Sequence, residues 1–189
     1  MSGGGPGLRS ILAFDPGVRT GVALLAPGHL RVTTLVLPRD YVEAVREFAR
    51  RARPFLERAN EIYVEDWTYQ KGRSIADGYK VPMALLGYLV SLGAKPIPPQ
   101  VWKKTMTAKI PASVMRWIPE ASRIPSGLAQ NDRGLWLVLE GQGMRPLLDQ
   151  IRGLPKKDRP HALDALGLAI YAWRAFCETG GEEVVTRGA

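Results

Sequence analysis

The chain has 189 residues, 46% of them hydrophobic, and a formal charge of +8, enough sequence for one core and too little for two. It lacks any run of about eighteen uninterrupted apolar residues and any basic opening followed by an apolar stretch, so neither a helical membrane span nor a signal peptide is expected, and the reading is a soluble, cytoplasmic protein. Cys177 stands alone, which excludes an intramolecular disulfide and a multi-cysteine zinc site; it is expected to be a buried or inert thiol.

Residues 1–9, rich in glycine, are expected to be disordered. The apolar run 10–14 predicts a first strand, ended by the turn signal Asp15-Pro16-Gly17, which puts Asp15 at the strand's carboxyl end. Residues 21–25 and 30–37 predict two more strands joined at Pro27-Gly28, completing an antiparallel meander. Asp40 is a candidate N-cap for a helix burying Val42, Val45, Phe48, Ala52 and Phe55 or Leu56, with Pro54 ending or kinking it. A short buried strand over 62–65 follows, then a helix over 74–92 with a kink at Pro82, and a strand over 95–98. Three strands, helix, strand, helix, strand is the order of a mixed sheet flanked by helices, an α/β fold.

From about 107 to 153 the pattern weakens into a basic, Gly- and Pro-rich insertion with two short amphipathic pieces, 113–118 and 135–139. Residues 100–160 hold eleven Lys and Arg against five Asp and Glu, while 161–189 hold two against four. The basic middle of the chain suits a polyanion. A final helix opens at Pro160-His161-Ala162-Leu163-Asp164, with Leu163, Leu166, Ala169, Ile170 and Trp173 at helical spacing. The domain is thus read as 10–177, with a frayed tail over 178–189.

Asp15 and Glu65 both end apolar strands, so their carboxylates converge if those strands are neighbours. His161 and Asp164, three residues apart, share a helix face. Three carboxylates and an imidazole could then meet in one place; the acidic cluster would repel itself unless cations occupied it, and hard oxygen ligands suit Mg²⁺ or Mn²⁺. Two such ions can activate water and stabilise the leaving oxygen of a phosphodiester. Each residue also has a plain structural reading: Asp15 suits a Pro-Gly turn, Glu65 would need an arginine partner, and Asp164 suits the start of a helix.

Phe14-Asp15-Pro16-Gly17 followed by Thr20-Gly21, then Val64-Glu65, then His161-Ala162-Leu163-Asp164-Ala165-Leu166-Gly167-Leu168-Ala169 resemble the RuvC-type Holliday-junction resolvases. The resemblance implies an RNase H-like mixed sheet, an antiparallel meander plus parallel strands, and a homodimer cutting four-way junctions symmetrically with Mg²⁺ (or Mn²⁺), two ions to a site. It makes Asp15, Glu65 and Asp164 carboxylate ligands and His161 a ligand or proton-handling group. Trp67 and Tyr69 would supply the aromatic that stacks at the junction centre. Lys103 and Lys104, Lys109, Arg116, and Lys156 and Lys157 are candidate phosphate contacts. About thirty residues around 120–144 exceed what the family requires. A branch-migration helicase is a possible partner, and no membrane partner is expected. The alternatives are the same fold acting on other branched DNA or on RNA, and a non-catalytic nucleic-acid-binding module. An actin-like phosphate loop at Asp15-Pro16-Gly17 would need a second lobe that 189 residues do not hold.

Overall fold

The computed structural model describes residues 9–66, 77–107, 111–115 and 117–179. Five strands form one sheet: β1 (Ile11–Asp15), β2 (Arg19–Ala26), β3 (His29–Val36), β4 (Glu61–Glu65) and β5 (Lys95–Ile97), in the order β3-β2-β1-β4-β5. β1–β2 and β2–β3 pair antiparallel, whereas β4 runs parallel to β1 and β5 parallel to β4. The sheet is therefore mixed, as the order of elements predicts, with the meander at one side and the crossover strands at the other. β5 contains Pro96 and is an edge strand, where a missing N–H donor is tolerated.

Side chains alternate along each strand and so sort into two cores. Leu12 and Phe14 of β1 and Val64 of β4 join Phe48, Leu85 and Leu89 on one face, beneath α1 (Tyr41–Leu56) and α2 (Lys80–Ser91). Ile11, Ala13 and Tyr63 point the other way, into a core built with α3 (Pro99–Met106) and the long α7 (Arg159–Thr179). Asp15 continues the Ile11–Ala13 parity and Glu65 the Tyr63 parity, so both carboxylates lie on the α7 face.

Asp40 caps α1, its carboxylate accepting from the Val42 and Glu43 amides at 3.0 and 2.9 Å. Pro54 lies within α1 near its end, and the helix closes two residues later. Val42 is exposed, and Ala44 takes the buried position at that turn. The helix expected over 74–92 is described from Asp77 as a 3₁₀ turn and becomes α-helical at Lys80. Pro82 falls in its first turn, where the amides have no helical acceptor, so no kink is required.

The stretch 107–153 departs most from expectation. It carries α4 (Ala112–Met115), a 3₁₀ turn at Pro119–Arg123, α5 (Gln130–Gly141) and α6 (Arg145–Arg152). Leu135, Trp136, Leu139, Leu147, Leu148 and Ile151 of this stretch belong to the same core as α7. α6 escapes a periodicity reading because it spans two turns and carries Pro146 near its start. Cys177 is exposed rather than buried, and Trp173 is 39% exposed although its neighbour Ala172 is fully buried, so Trp173 lies on the outer face of α7.

Candidate active site

β1 and β4 are parallel neighbours with Phe14 opposite Val64, so Asp15 and Glu65, one residue further on each strand, emerge side by side at the carboxyl edge. The turn beyond Asp15 is closed by Thr20, whose hydroxyl donates to the Gly17 carbonyl at 2.7 Å and accepts from the Gly17 amide at 3.3 Å. α7 then crosses the sheet with its first turn over β2. A Cβ on Gly21 would lie 1.9 Å from the His161 carbonyl oxygen, and one on Gly167 would lie 2.6 Å from the Trp102 ring. Both glycines let backbone pass where a side chain would hold it away, and the close approach sets how far Asp164 reaches over β1 and β4.

Asp15, Glu65 and Asp164 each offer an oxygen within 4.8 Å of the others. Asp15 and Glu65 are buried, and Asp164 is 17% exposed at its side chain. His161 Nδ1 lies 2.7 Å from Asp15 Oδ2, with the ring N–H donating to the carboxylate. Lys103, from the second turn of α3, puts Nζ 2.7 Å from Asp164 Oδ2 and 3.3 Å from Glu65 Oε1. One helix face thus supplies His161 to one carboxylate and Asp164 beside the other, as their three-residue spacing allows.

Burial, then repulsion from Asp15 and Asp164, pushes the Glu65 carboxyl up to about 8 despite the Lys103 ammonium. Burial also raises Asp164, to about 7, against the pull of Lys103 and with Asp15 and Asp132 adding repulsion. His161 is raised chiefly by its hydrogen bond to Asp15. Burial alone would lower Lys103, but Asp164 and Glu65 outweigh it and hold the ammonium above the ordinary lysine range. The three carboxylates, each offering an oxygen within 4.8 Å of the others, make an all-oxygen donor set that fits a hard divalent cation better than a thiophilic one.

Three features of this arrangement lie outside the motif reading. Lys103 sits inside the carboxylate cluster, where a contact to phosphate alone was expected. Asp132, at the start of α5, accepts from the Ala129 amide at 3.2 Å and lies near enough to act on Asp164. Arg19 pairs with the buried Asp158, whose carbonyl accepts from Thr34 Oγ1 at 3.0 Å and from the Ala162 amide at 3.2 Å; this ties the first turn of α7 to β2 and β3. Arg19 within the Asp-Pro-Gly-x-x-Thr turn was the one signal available, since α3 and α5 reach the site only through tertiary packing. Lys104, Lys156 and Lys157 are exposed. Trp67, Tyr69, Lys109 and Arg116 lie outside the described residues.

No protein-family model matches the chain, and no curated protein matches it in sequence. Among solved structures it is similar to T. thermophilus RuvC in complex with Holliday junction substrate, with a TM-score of 0.56 and 16% identity over 92% of this chain and 97% of that one. A second Thermus thermophilus RuvC structure superposes with a TM-score of 0.48 and 17% identity, over 91% and 97% of the two chains. The fold reached from the three sequence motifs is also the fold of the first neighbour, along nearly the whole length of both chains. The chain therefore has the RuvC-type, RNase H-like α/β fold, with a mixed five-stranded sheet between helices.

Proposed function

We propose that the chain is a metal-dependent, structure-selective endonuclease that resolves four-way DNA junctions, leaving 5′-phosphate and 3′-hydroxyl ends. The observation that carries the reading is the convergence of Asp15, Glu65 and Asp164 within 4.8 Å at the carboxyl edge of a RuvC-like sheet. Asp15, Glu65 and Asp164 would hold Mg²⁺ or Mn²⁺, two ions in this reading, with His161 as a further ligand or proton carrier. Bound there, divalent ions supply a nucleophilic hydroxide and charge stabilisation of the leaving oxygen. His161 fixes the orientation of Asp15 through its Nδ1 hydrogen bond. Gly21 and the Arg19–Asp158 pair hold the α7 turn that carries His161 and Asp164.

The substrate class is supported by the solved neighbour, which was captured with a Holliday junction, and by the net charge of +8. Exposed Lys104, Lys156 and Lys157 would position phosphates, and Trp67 or Tyr69 would stack at the junction centre. A homodimer would place two such sites on one junction, which symmetric cutting requires. Leu85 and Leu89 are buried in the α1–α2 core and belong to the fold. Met83 and Val90 of α2 are 51% and 44% exposed; seven residues apart, they share one helix face, the candidate for self-association.

The test is a substrate panel: a labelled immobile junction, the matching linear duplex and an RNA hairpin, each with Mg²⁺ or with EDTA. The reading predicts paired nicks in the junction alone, ligatable without repair and lost in EDTA. Cutting of RNA or of other branched DNA in preference would retain the chemistry and change the substrate. Binding to the junction without cutting in either Mg²⁺ or Mn²⁺ would make the chain a binding module.

A further inference from the structure

Two of the three site carboxylates already share a cation that the chain itself supplies. The Lys103 ammonium lies 2.7 Å from Asp164 Oδ2 and 3.3 Å from Glu65 Oε1, between the two oxygens that a divalent ion shared by these residues would have to draw in. Asp15 is prepared differently, since its close partner is the His161 ring at 2.7 Å. The two halves of the cluster therefore meet an incoming ion with unlike partners, an ammonium at one and an imidazole at the other.

Building on the nuclease reading above, we propose that Lys103 is an internal competitor for metal at the Glu65–Asp164 half of the site. Occupancy of that half by a divalent ion requires the Lys103 side chain to swing away. The structure gives it freedom to do so. Its side chain is 38% exposed, and its four-carbon stem can carry the ammonium to solvent without moving the backbone. The backbone is anchored separately, because the adjacent Trp102 is fully buried and packs against Gly167 of α7. α3 can thus stay docked while its lysine leaves. In the metal-free chain the ammonium offsets repulsion among the carboxylates; in the metal-loaded chain it is a mobile cation at the rim of the site, positioned for an anionic phosphodiester. Lys103 is accordingly a positioning residue that sets how readily this half-site fills.

The test is Mn²⁺ binding to the full-length, DNA-free chain, read from the free-ion electron paramagnetic resonance signal, so that no cleavage is needed. Like charges a few ångströms apart interact strongly at a protein surface, so Lys103→Met and Lys103→Gln are each expected to bind Mn²⁺ at least about tenfold more tightly than wild type, or to take up an additional ion at equal free Mn²⁺. Lys103→Arg retains the charge and is expected to stay close to wild type. Near-ultraviolet circular dichroism identifies any variant that has lost its packing, and having two neutral variants keeps the comparison available. Superimposable isotherms for wild type, Lys103→Met and Lys103→Gln would overturn the proposal. Asp164→Asn, measured alongside, separates the two levels of inference. Weaker Mn²⁺ binding by Asp164→Asn together with unchanged binding by the neutral Lys103 variants would reject the lysine's role alone, and unchanged binding by Asp164→Asn would reject the metal site itself.

Discussion

Glu65 experiences burial and two neighbouring carboxylates, all acting in the same direction. Its folded-state value, about 8, lies above the ordinary 4.5, and that of Asp164, about 7, lies above 3.8. The folded chain therefore binds these protons more tightly than the unfolded chain. The resulting stability is fully present below the ordinary values and is lost as pH rises through the folded ones. His161, raised above 6.5, contributes with the same sign. In EDTA, the urea midpoint is expected to fall between about pH 5 and pH 8, and Glu65→Gln should flatten that fall. Added Mg²⁺ should raise the midpoint more at the alkaline end, because ion and proton compete for the same oxygens. A midpoint that climbs with pH in EDTA and is indifferent to Glu65→Gln would contradict the electrostatic account. Gly21 matters for steric reasons: a Cβ at this position would come within 1.9 Å of the His161 carbonyl oxygen, so Gly21→Ala must lift α7 from β2. Overpacking of this kind costs about 1–3 kcal/mol or more, readable as a lower urea midpoint at unchanged slope, with cleavage falling further than stability alone explains.

At the scale of elements, the strands and their succession along the chain were legible in the sequence because alternation, turn residues and strand-end acids are local signals, whereas the pairing of β1 with β4 is a long-range contact that local signals do not carry. Asp15 and Glu65 could be placed at strand ends from their neighbours, and His161 and Asp164 on one helix face from their spacing. Lys103 could be seen as a cation but not as a partner of Glu65 and Asp164, because its position depends on Trp102 docking α3 against Gly167 of α7. α5 and α6 were obscured for a related reason. Their short apolar stripes, with Gly141 ending the first helix, Gly143 between the two and Pro146 at the second helix's start, resemble loop composition until they meet α7. Trp136 is fully buried in that junction, so Trp136→Ala is expected to destabilise the chain by about 3–5 kcal/mol. Chemical denaturation would check this, and a loss near zero would mean that the segment is an appended loop.

For the whole molecule, charge and the proposed self-association are matters of the surface rather than of the core. A net charge of +8 predicts junction affinity that falls steeply with salt, since each neutralised phosphate releases counterions. Lys104→Glu should weaken binding and flatten the salt dependence by about one contact, measured by titration at several ionic strengths. Among the described residues no helix is long and apolar enough to cross a membrane, and the exposed Met83–Val90 face of α2 is the surface proposed to join two copies. Val90→Asp is expected to shift the chain from dimer to monomer in sedimentation, with the fold retained. The central claim, a carboxylate site that cuts junctions, is tested most directly by single-turnover cleavage of a labelled four-way junction by wild type and Asp164→Asn in Mg²⁺, with junction binding measured in parallel. The account predicts paired nicks by wild type and loss of cleavage by at least about a hundredfold in the variant with binding retained, as expected when an ion that stabilises the transition state is lost. Equal cleavage by both proteins would contradict it.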